Sequence, residues 1–215
     1  LFADLVSFTT FSSTLSPVRL VQILDHMFVM FDKLATRHDV TKIKTIGDCY
    51  VAGSGILQNM PDHAIAMIDM SLGMLAAIQV LRERHEEAAL FGLQLRVGIH
   101  SGPVVGGIVG HRKFVFDVWG KTVLVANNME SQGVAGRVHV SEVTYQRSNK
   151  TAVFDFDDLG VALHREHGLA ADLVATHVTA QMKNISVYAF RAMQDPQKAW
   201  SGLSQQSMDG RDASW

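Results

Sequence analysis

The order of strand-like and helix-like segments predicts an α+β fold, an α/β sandwich with a ferredoxin-like βαββαβ core and a C-terminal α/β extension. Residues 1–100 contain a strand, a long amphipathic helix, a strand hairpin, a second long helix and a further strand. Shorter strands and helices follow, and no internal repeat or linker divides the chain. We therefore expect one domain over residues 1–192 and a polar, disordered tail over residues 193–215.

The core elements follow from apolar periodicity and from turn residues. Ser16-Pro17 is typical of a helix start, and apolar side chains recur at helical spacing from there to Arg37. Two alternating runs flank Gly47-Asp48, which predicts a hairpin with Asp48 at its tip. The predicted core consists of a strand ending at Asp4, a helix over 17–37, strands over 40–46 and 49–53, a helix over 61–86 and a strand over 93–100.

The predicted extension is built from shorter elements, and residues 157–182 within it show no clear periodicity. Its predicted elements are strands over 104–109, 114–118 and 136–141, helices over 121–131 and 142–147, a weak strand over 154–156 and a closing strand over 185–192.

Composition limits the classes of protein to consider. The 215 residues are 47% hydrophobic and 19% charged, as in an ordinary soluble globular protein. A net charge of -2 gives no sign of a nucleic-acid surface, and the single Cys49 excludes an internal disulfide framework, which fits a cytoplasmic setting. No uninterrupted apolar run reaches the roughly 18 residues of a membrane span. The chain begins in mid-strand without Met, so we expect a fragment whose parent protein could reach a membrane through other parts.

Two acidic residues, Asp4 and Asp48, are predicted at the ends of separate strands that can face each other. Magnesium in nucleotide sites typically takes one or two carboxylates and leaves its other positions to water and phosphate oxygens. The segment after Asp4 could offer backbone N–H groups to phosphates. The pair therefore suggests a metal site for nucleotide phosphates, although either acid alone could equally be a turn or capping residue.

The chain resembles the catalytic domain of class III nucleotidyl cyclases in five blocks, which occur in order and at the expected separations. The resemblance extends from residue 1 to about residue 192, and it implies the class III cyclase fold. The five blocks are FADLVSFT at 2–9, KIKTIGD at 42–48, LRVGIHSG at 95–102, FDVWGKTV at 116–123 and GRVHVS at 136–141.

The resemblance implies a cyclase that converts a nucleoside triphosphate into a 3′,5′-cyclic monophosphate and pyrophosphate at the interface of two such domains. It also implies two Mg²⁺ ions, or Mn²⁺, as cofactors. Lys can donate to the adenine ring and Asp can accept from its amino group, so the base-reading pair favours ATP over GTP. The implied site residues are Asp4, Leu5 and Asp48 for the metals, with both aspartates catalytic, Val6, Ser7, Phe8, Thr9 and Arg96 for the phosphates, and Lys44 and Asp117 for the base.

The chain departs from the active homodimeric members at two positions. Those members carry Asn and Arg where this chain has Leu124 and Asn128. Leucine makes no hydrogen bond, and one lost donor at developing charge typically costs about two to three orders of magnitude in rate. The chain here resembles the first domain of two-domain adenylyl cyclases, so we expect a metal-bearing half that needs a complementary cyclase domain.

Three alternatives remain open at this point. The chain could be an inert cyclase-like domain used for dimerisation or nucleotide sensing, half of a guanylyl cyclase, or an unusual homodimeric enzyme. In a half-site arrangement Lys44 and Asp117 would line the second, non-catalytic pocket, and the partner would choose the base.

Overall fold

The computed structural model describes residues 1–148, 156–158 and 175–178, and the elements below are those of these ranges. In chain order they are β1 (Phe2–Val6), α1 (Phe8–Ser13), α2 (Pro17–Arg37), β2 (Thr41–Ile46), β3 (Cys49–Gly53), α3 (His63–Arg84), α4 (Glu86–Leu90), β4 (Gln94–Ile99), β5 (Val105–Val109), β6 (Val115–Trp119), α5 (Lys121–Ser131), β7 (Val138–Ser141), α6 (Glu142–Ser148), β8 (Phe156–Asp158) and β9 (Ala175–Val178).

A seven-stranded sheet with the order β2-β3-β1-β4-β7-β9-β8 forms the centre of the fold. Strands β4 and β7 pair in parallel, and the other neighbours are antiparallel. The succession β1-α2-β2-β3-α3-β4 with the spatial order β2-β3-β1-β4 is the ferredoxin-like arrangement. The predicted fold class is therefore confirmed. Strands β5 and β6 form a separate antiparallel hairpin.

Helices cover the two faces of this sheet. Tyr50 contacts the rings of Phe28 and Phe31 in α2, whereas its neighbour Val51 packs with Phe2 and with Ala126 of α5. Successive residues of a strand point to opposite faces, so α2 lies on one face and α5 on the other. This alternation places Asp4, two residues after Phe2, on the face that α5 covers.

The two long helices lie close to their predicted bounds. Helix α2 begins as expected, with the Ser16 hydroxyl accepting a hydrogen bond from the Arg19 N–H (3.3 Å) and with Pro at the first helical position. Helix α3 is long and apolar enough by composition to cross a membrane, but 67% of that stretch is buried in the fold. Burial of this extent is typical of a core helix in a globular domain.

Four local features differ from the predictions. Strand β1 continues to Val6, so Asp4 lies inside the strand and not at its end. The short helix α1 was not predicted. The predicted helix over 61–86 stops at Arg84, because His85 is extended, and α4 follows separately. Strand β9 lies in the segment without periodicity.

Other predictions fall partly or wholly beyond the part of the chain that is described. Strand β8 begins at Phe156, where the predicted weak strand ends, and residues 154–155 are outside the described ranges. The predicted closing strand over 185–192 and the predicted tail over 193–215 also lie outside the described residues.

Candidate active site

The structure brings Asp4 and Asp48 together at one end of the sheet. Gly47, with φ of 61°, makes the tight turn that places Asp48 at the hairpin tip beside β1. There an Asp48 carboxylate oxygen accepts a hydrogen bond from the Leu5 N–H at 3.3 Å. Burial and then the neighbouring Asp4 carboxylate raise the pKa of Asp48 to about 6. The Asp4 carboxylate therefore lies close enough to Asp48 to disfavour the ionised form of Asp48.

The donor set of this site suits a hard divalent cation. Two carboxylates and the Leu5 carbonyl offer oxygen ligands only, which Mg²⁺ prefers. In the described part of the chain no group of three or more His, Cys, Asp or Glu side chains could hold a metal ion. A cation at Asp4 and Asp48 would thus keep positions for water and phosphate oxygens, and its charge would favour the ionised form of Asp48.

The segment Val6–Thr9 spans the junction of β1 and α1, and Ser7 is the one residue between them. Ser7 adopts a left-handed conformation (φ 63°, ψ 24°), and the helix begins at Phe8. The first N–H groups of a helix have no partner within it, and the Ser7 side chain makes no capping hydrogen bond. Backbone donors at this turn are therefore free to meet an anion next to the two aspartates.

Arg96 lies directly beside Asp4 in the sheet. Their Cα atoms are paired in the β1–β4 register, so the two side chains share a face. The Arg96 Nε donates to a carboxylate oxygen of Glu130 in α5 at 2.7 Å. Sequence reasoning missed Glu130, although the signal was present, since the acid follows Val125, Ala126 and Met129 in the buried stripe of α5.

A bulge in β2 directs Lys44 to the α5 face. The register shifts between Lys42 and Lys44. Lys42 then binds Asp32 of α2 at 2.8 Å, while Lys44 donates to Asp117 of β6 at 2.5 Å. This hydrogen bond is the main cause of the lowered pKa of Asp117. The structure thus brings the two predicted base-reading residues together as an ion pair.

Leu124 and Asn128 lie one helical turn apart on α5, and such positions share a helix face. Leu124 is 66% exposed and Asn128 is half-buried. Neither side chain can supply a positive charge, and Leu124 has no polar group.

The matched family model is the adenylate and guanylate cyclase catalytic domain, which covers residues 1–179. The chain belongs to this family. Among relatives, adenylate cyclase type 9 of Xenopus laevis is 45% identical over 144 residues, 67% of this chain. The germination-specific adenylate cyclase of Dictyostelium discoideum is 41% identical over 167 residues, 76% of this chain. The matched regions are only 11% and 19% of those two relatives.

Solved structures agree with the family assignment. The catalytic core of a rhodopsin-guanylyl cyclase with converted specificity, in complex with ATPαS, is 31% identical and superposes with a TM-score of 0.73. The match covers 84% of this chain and 93% of that core. This chain and that core therefore share the same fold over most of their length.

Exposed apolar side chains are concentrated on the β5–β6 hairpin of this cyclase domain and on the adjoining ends of β2 and α5, which both contact β6. We call this set the hairpin surface. Exposed apolar side chains gathered on one part of a fold often mark an interaction site, and here they lie on both faces of the hairpin. The set comprises Ile46, Val105, Ile108, Val109, Phe114, Trp119 and Leu124.

A cavity of about 400 Å³ lies at the opposite end of the sheet, lined by residues that include Phe2, His63, His100 and Arg147. It contains none of the residues predicted for metal, phosphate or base. The paired aspartates lie instead at the end of the sheet where β2 turns into β3, and both are half-buried. A half-buried pair of this kind is accessible to a second domain that completes the site.

Proposed function

We propose that this domain is the metal-bearing half of an adenylyl cyclase site and converts ATP to 3′,5′-cyclic AMP and pyrophosphate together with a complementary cyclase domain. The hydrogen bond from Leu5 to Asp48 is the observation that carries the proposal, because it holds the second carboxylate beside the strand of the first. The domain itself is 11–19% of the length of the curated relatives, so the wider protein's activity also belongs to this proposal.

The reaction forms a bond from the ribose 3′-oxygen to the α-phosphorus. The 3′-hydroxyl loses its proton to solvent water, the bond from the α-phosphorus to the oxygen that bridges it to the β-phosphorus breaks, and pyrophosphate leaves. When bound at Asp4 and Asp48, two Mg²⁺ ions supply charge stabilisation to the attacking and leaving oxygens. In this scheme Asp4, Asp48 and the Leu5 carbonyl hold the ions, while the backbone of Val6–Thr9 and the Arg96 guanidinium hold the phosphates.

The proposed need for a complementary cyclase domain rests on two residues of α5, Leu124 and Asn128. Leu124 makes no hydrogen bond that could orient the ribose, and Asn128 carries no positive charge to meet the transferring phosphate. A homodimer would lack both groups in both of its sites. The hairpin surface supports an intermolecular or intramolecular partner, since its apolar side chains would leave water when a second domain binds.

ATP is the proposed substrate. Lys44 and Asp117 match the donor and acceptor pattern of adenine, and the relatives at 41–45% identity are named adenylate cyclases. In the half-site arrangement these two side chains, which pair with each other in this structure, line the second pocket and the partner chooses the base. The same fold accepts either base, because a guanylyl cyclase core with converted specificity binds ATPαS.

Complementation tests the proposal. The domain alone and mixed with a cyclase domain that carries the Asn and Arg are assayed for cyclic AMP from ATP with Mg²⁺ or Mn²⁺. We expect negligible activity alone and a large gain on mixing. Asp48→Ala should abolish the gain, whereas Asp25→Ala, at an exposed site on α2, should preserve it.

Each other outcome identifies a different function. Cyclic AMP from the domain alone, with no gain on mixing, would indicate a homodimeric enzyme. Cyclic GMP from GTP in a mixture with a guanylyl partner would indicate half of a guanylyl cyclase. Nucleotide binding without turnover across several complementary partners would indicate an inert sensing or dimerisation domain.

A further inference from the structure

Glu130 is a buried carboxylate to which the proposed reaction gives no role. It is 5% exposed, in the last part of α5, among apolar residues of the helix face that packs on the sheet. A charge in such a place is costly unless it is paired. Its partner is the Arg96 guanidinium, whose Nε lies 2.7 Å from the carboxylate.

The backbone around this ion pair is sterically fixed. A Cβ atom on Gly98 of β4 would lie 1.9 Å from the Glu130 backbone nitrogen, so α5 touches the strand that carries Arg96. A Cβ atom on Gly133 would lie 3.1 Å from Cγ of Arg96. Close packing at both glycines therefore sets the distance between helix and strand, and with it the position of the carboxylate.

The ion pair uses only one edge of the guanidinium. Glu130 accepts from Nε, and within the described ranges the two terminal nitrogens have no ion-pair or hydrogen-bond partner. Arg96 stands beside Asp4 on the same sheet face. A planar guanidinium held at Nε presents its remaining nitrogens in one orientation, which suits bidentate contact with phosphate oxygens.

We propose that Glu130 is a positioning residue, which holds the Arg96 guanidinium so that its terminal nitrogens meet the phosphates of the substrate bound at Asp4. The inference rests on the proposed function, which assigns Arg96 to the phosphates. Glu130 does not touch the nucleotide in this scheme and acts only through Arg96. The contrasting role for Glu130 is to secure α5 on the sheet, without influence on phosphate binding.

The test uses Glu130→Gln, Arg96→Ala and the double variant, mixed with the complementary domain. The KM for ATP, kcat and the inhibition constant of pyrophosphate are measured. We expect Glu130→Gln to weaken pyrophosphate inhibition and raise KM about tenfold, as outer-shell partners commonly do. On the Arg96→Ala background the same change should add nothing, because the partner through which it acts is gone. Glu83→Gln, at an exposed site on α3, is the matched control and should have no effect.

A role limited to packing predicts a different pattern. Glu130→Gln would then lower the melting temperature and lower activity equally with or without Arg96, and this result would overturn the inference. Glu130→Asp keeps the charge and should recover part of the pyrophosphate affinity. It also serves as the test variant if Glu130→Gln shows no cooperative melting transition.

A direct measurement of pyrophosphate binding can test the role of Glu130 even if the proposed activity fails. If the wild-type mixture makes no cyclic AMP, the proposed activity fails. The positioning role is then measured by calorimetric titration of pyrophosphate with Mn²⁺. Weaker binding in both single variants, with no further loss in the double variant, supports the inference. Equal affinity in wild type and variants, or no binding to wild type, overturns it.

Discussion

Asp48 has opposite effects on fold stability and on metal binding. Its pKa of about 6 in the folded protein exceeds the ordinary value of 3.8, because of burial and the nearby Asp4. The folded state therefore binds this proton more strongly than the unfolded state does. The contribution of Asp48 to the free energy of unfolding therefore falls as pH rises from about 4 to about 6, and it stays at its lowest value at higher pH.

Asp48→Asn should stabilise the protein and impair catalysis. An amide oxygen can still accept from the Leu5 N–H, and the buried like-charge contact with Asp4 disappears. We expect a higher melting temperature at neutral pH in metal-free buffer, and complemented activity lower by about 100-fold or more, since outer-shell losses alone cost 10–100-fold. Calorimetry and a cyclic AMP assay measure the two effects. A lower melting temperature, or unchanged activity, would contradict this account; Asp25→Asn is the exposed control.

Tyr50 links the hairpin that carries Asp48 to α2. Its buried hydroxyl donates to Asp32 at 2.7 Å. Tyr50→Phe removes this bond and should lower the free energy of unfolding by about 1 kcal/mol. Asp32→Asn keeps an acceptor for Tyr50 and breaks only the exposed pair with Lys42, so its loss should be smaller. Urea denaturation compares the variants, and a larger loss for Asp32→Asn would reverse our ranking of the two contacts.

At the scale of elements, α5 carries two separate roles. Its buried face packs on β4, β1 and β7 and presents Glu130 to Arg96. Its other side carries Leu124 and Asn128, where homodimeric relatives are expected to carry catalytic groups. The packing of α5 on the sheet is thus complete, and the proposed half-site character depends on two side chains outside that packing.

Leu124→Asn with Asn128→Arg should therefore give the domain activity by itself. Leu124 is 66% exposed, so a polar side chain there costs little stability. A hydrogen-bonding group at position 124 and a positive charge at position 128 should raise the basal rate at least about 100-fold. Leu124→Asn with Asn127→Arg is the matched control, because Asn127 is exposed at the adjacent position and points elsewhere. Equal activity in both double variants would argue against a specific role for position 128.

Elements with a clear periodicity or a turn signal were predictable, whereas α1 and β9 were not. Helix α2 had a capping Ser, a Pro and a repeated apolar stripe, and α5 was predicted at its observed bounds. Helix α1 is six residues of Phe, Thr and Ser, which have modest helix propensity, and it forms because the chain leaves β1 there. Tertiary pairing, which no local pattern encodes, likewise decides the position of β9.

The residues of the candidate site likewise divide into those with a signal in the sequence and one that was not predicted. Asp4 and Asp48 were predicted because a turn signal and family blocks coincide with them, and the structure brings them together. Glu130 was not predicted, because a lone acid on a helix usually faces solvent. The contact of Glu130 with Arg96 depends on the close approach of α5 to Gly98, and that approach exists only in the folded chain.

At the scale of the whole molecule, buried and half-buried histidines make stability depend on pH. Burial is the first cause that lowers the pKa of His38, His85 and His100. Arg19 donates to Nδ1 of His85 at 3.2 Å, and since arginine only donates, that imidazole is neutral there. Its Nε2 then donates to Nδ1 of His26 at 2.9 Å, which joins α2 to the end of α3.

Acid should therefore weaken the fold through these histidines. Because the pKa of these histidines is depressed in the folded state, the unfolded state binds more protons. The contribution of the histidines to the free energy of unfolding is therefore complete above the ordinary pKa of 6.5, and it is lost as pH falls below that value. We expect the melting temperature to fall between about pH 7 and pH 5, and His85→Gln to reduce the slope. His111→Gln, on an exposed histidine, should leave the slope unchanged. Equal slopes for wild type and His85→Gln would exclude His85 as a source.

The hairpin surface should determine association without contributing to the fold of the isolated domain. Ile108 and Phe114 are 68% and 75% exposed, so an aspartate at either position disturbs no core packing. Surface changes of this kind usually alter stability within about 0.5 kcal/mol. In contact with a partner, however, the same aspartate would bury an unpaired charge, which is strongly unfavourable.

Ile108→Asp and Phe114→Asp should therefore raise the concentration of complementary domain needed for half-maximal activity by about tenfold or more, with an unchanged melting temperature. Val18→Asp changes an equally exposed valine on α2 and serves as control. Titration of the partner separates the two effects, because lost affinity moves the midpoint whereas lost chemistry lowers the plateau. A lower plateau at an unchanged midpoint would mean that the hairpin surface acts on the chemical step, and a partner would then have to dock elsewhere.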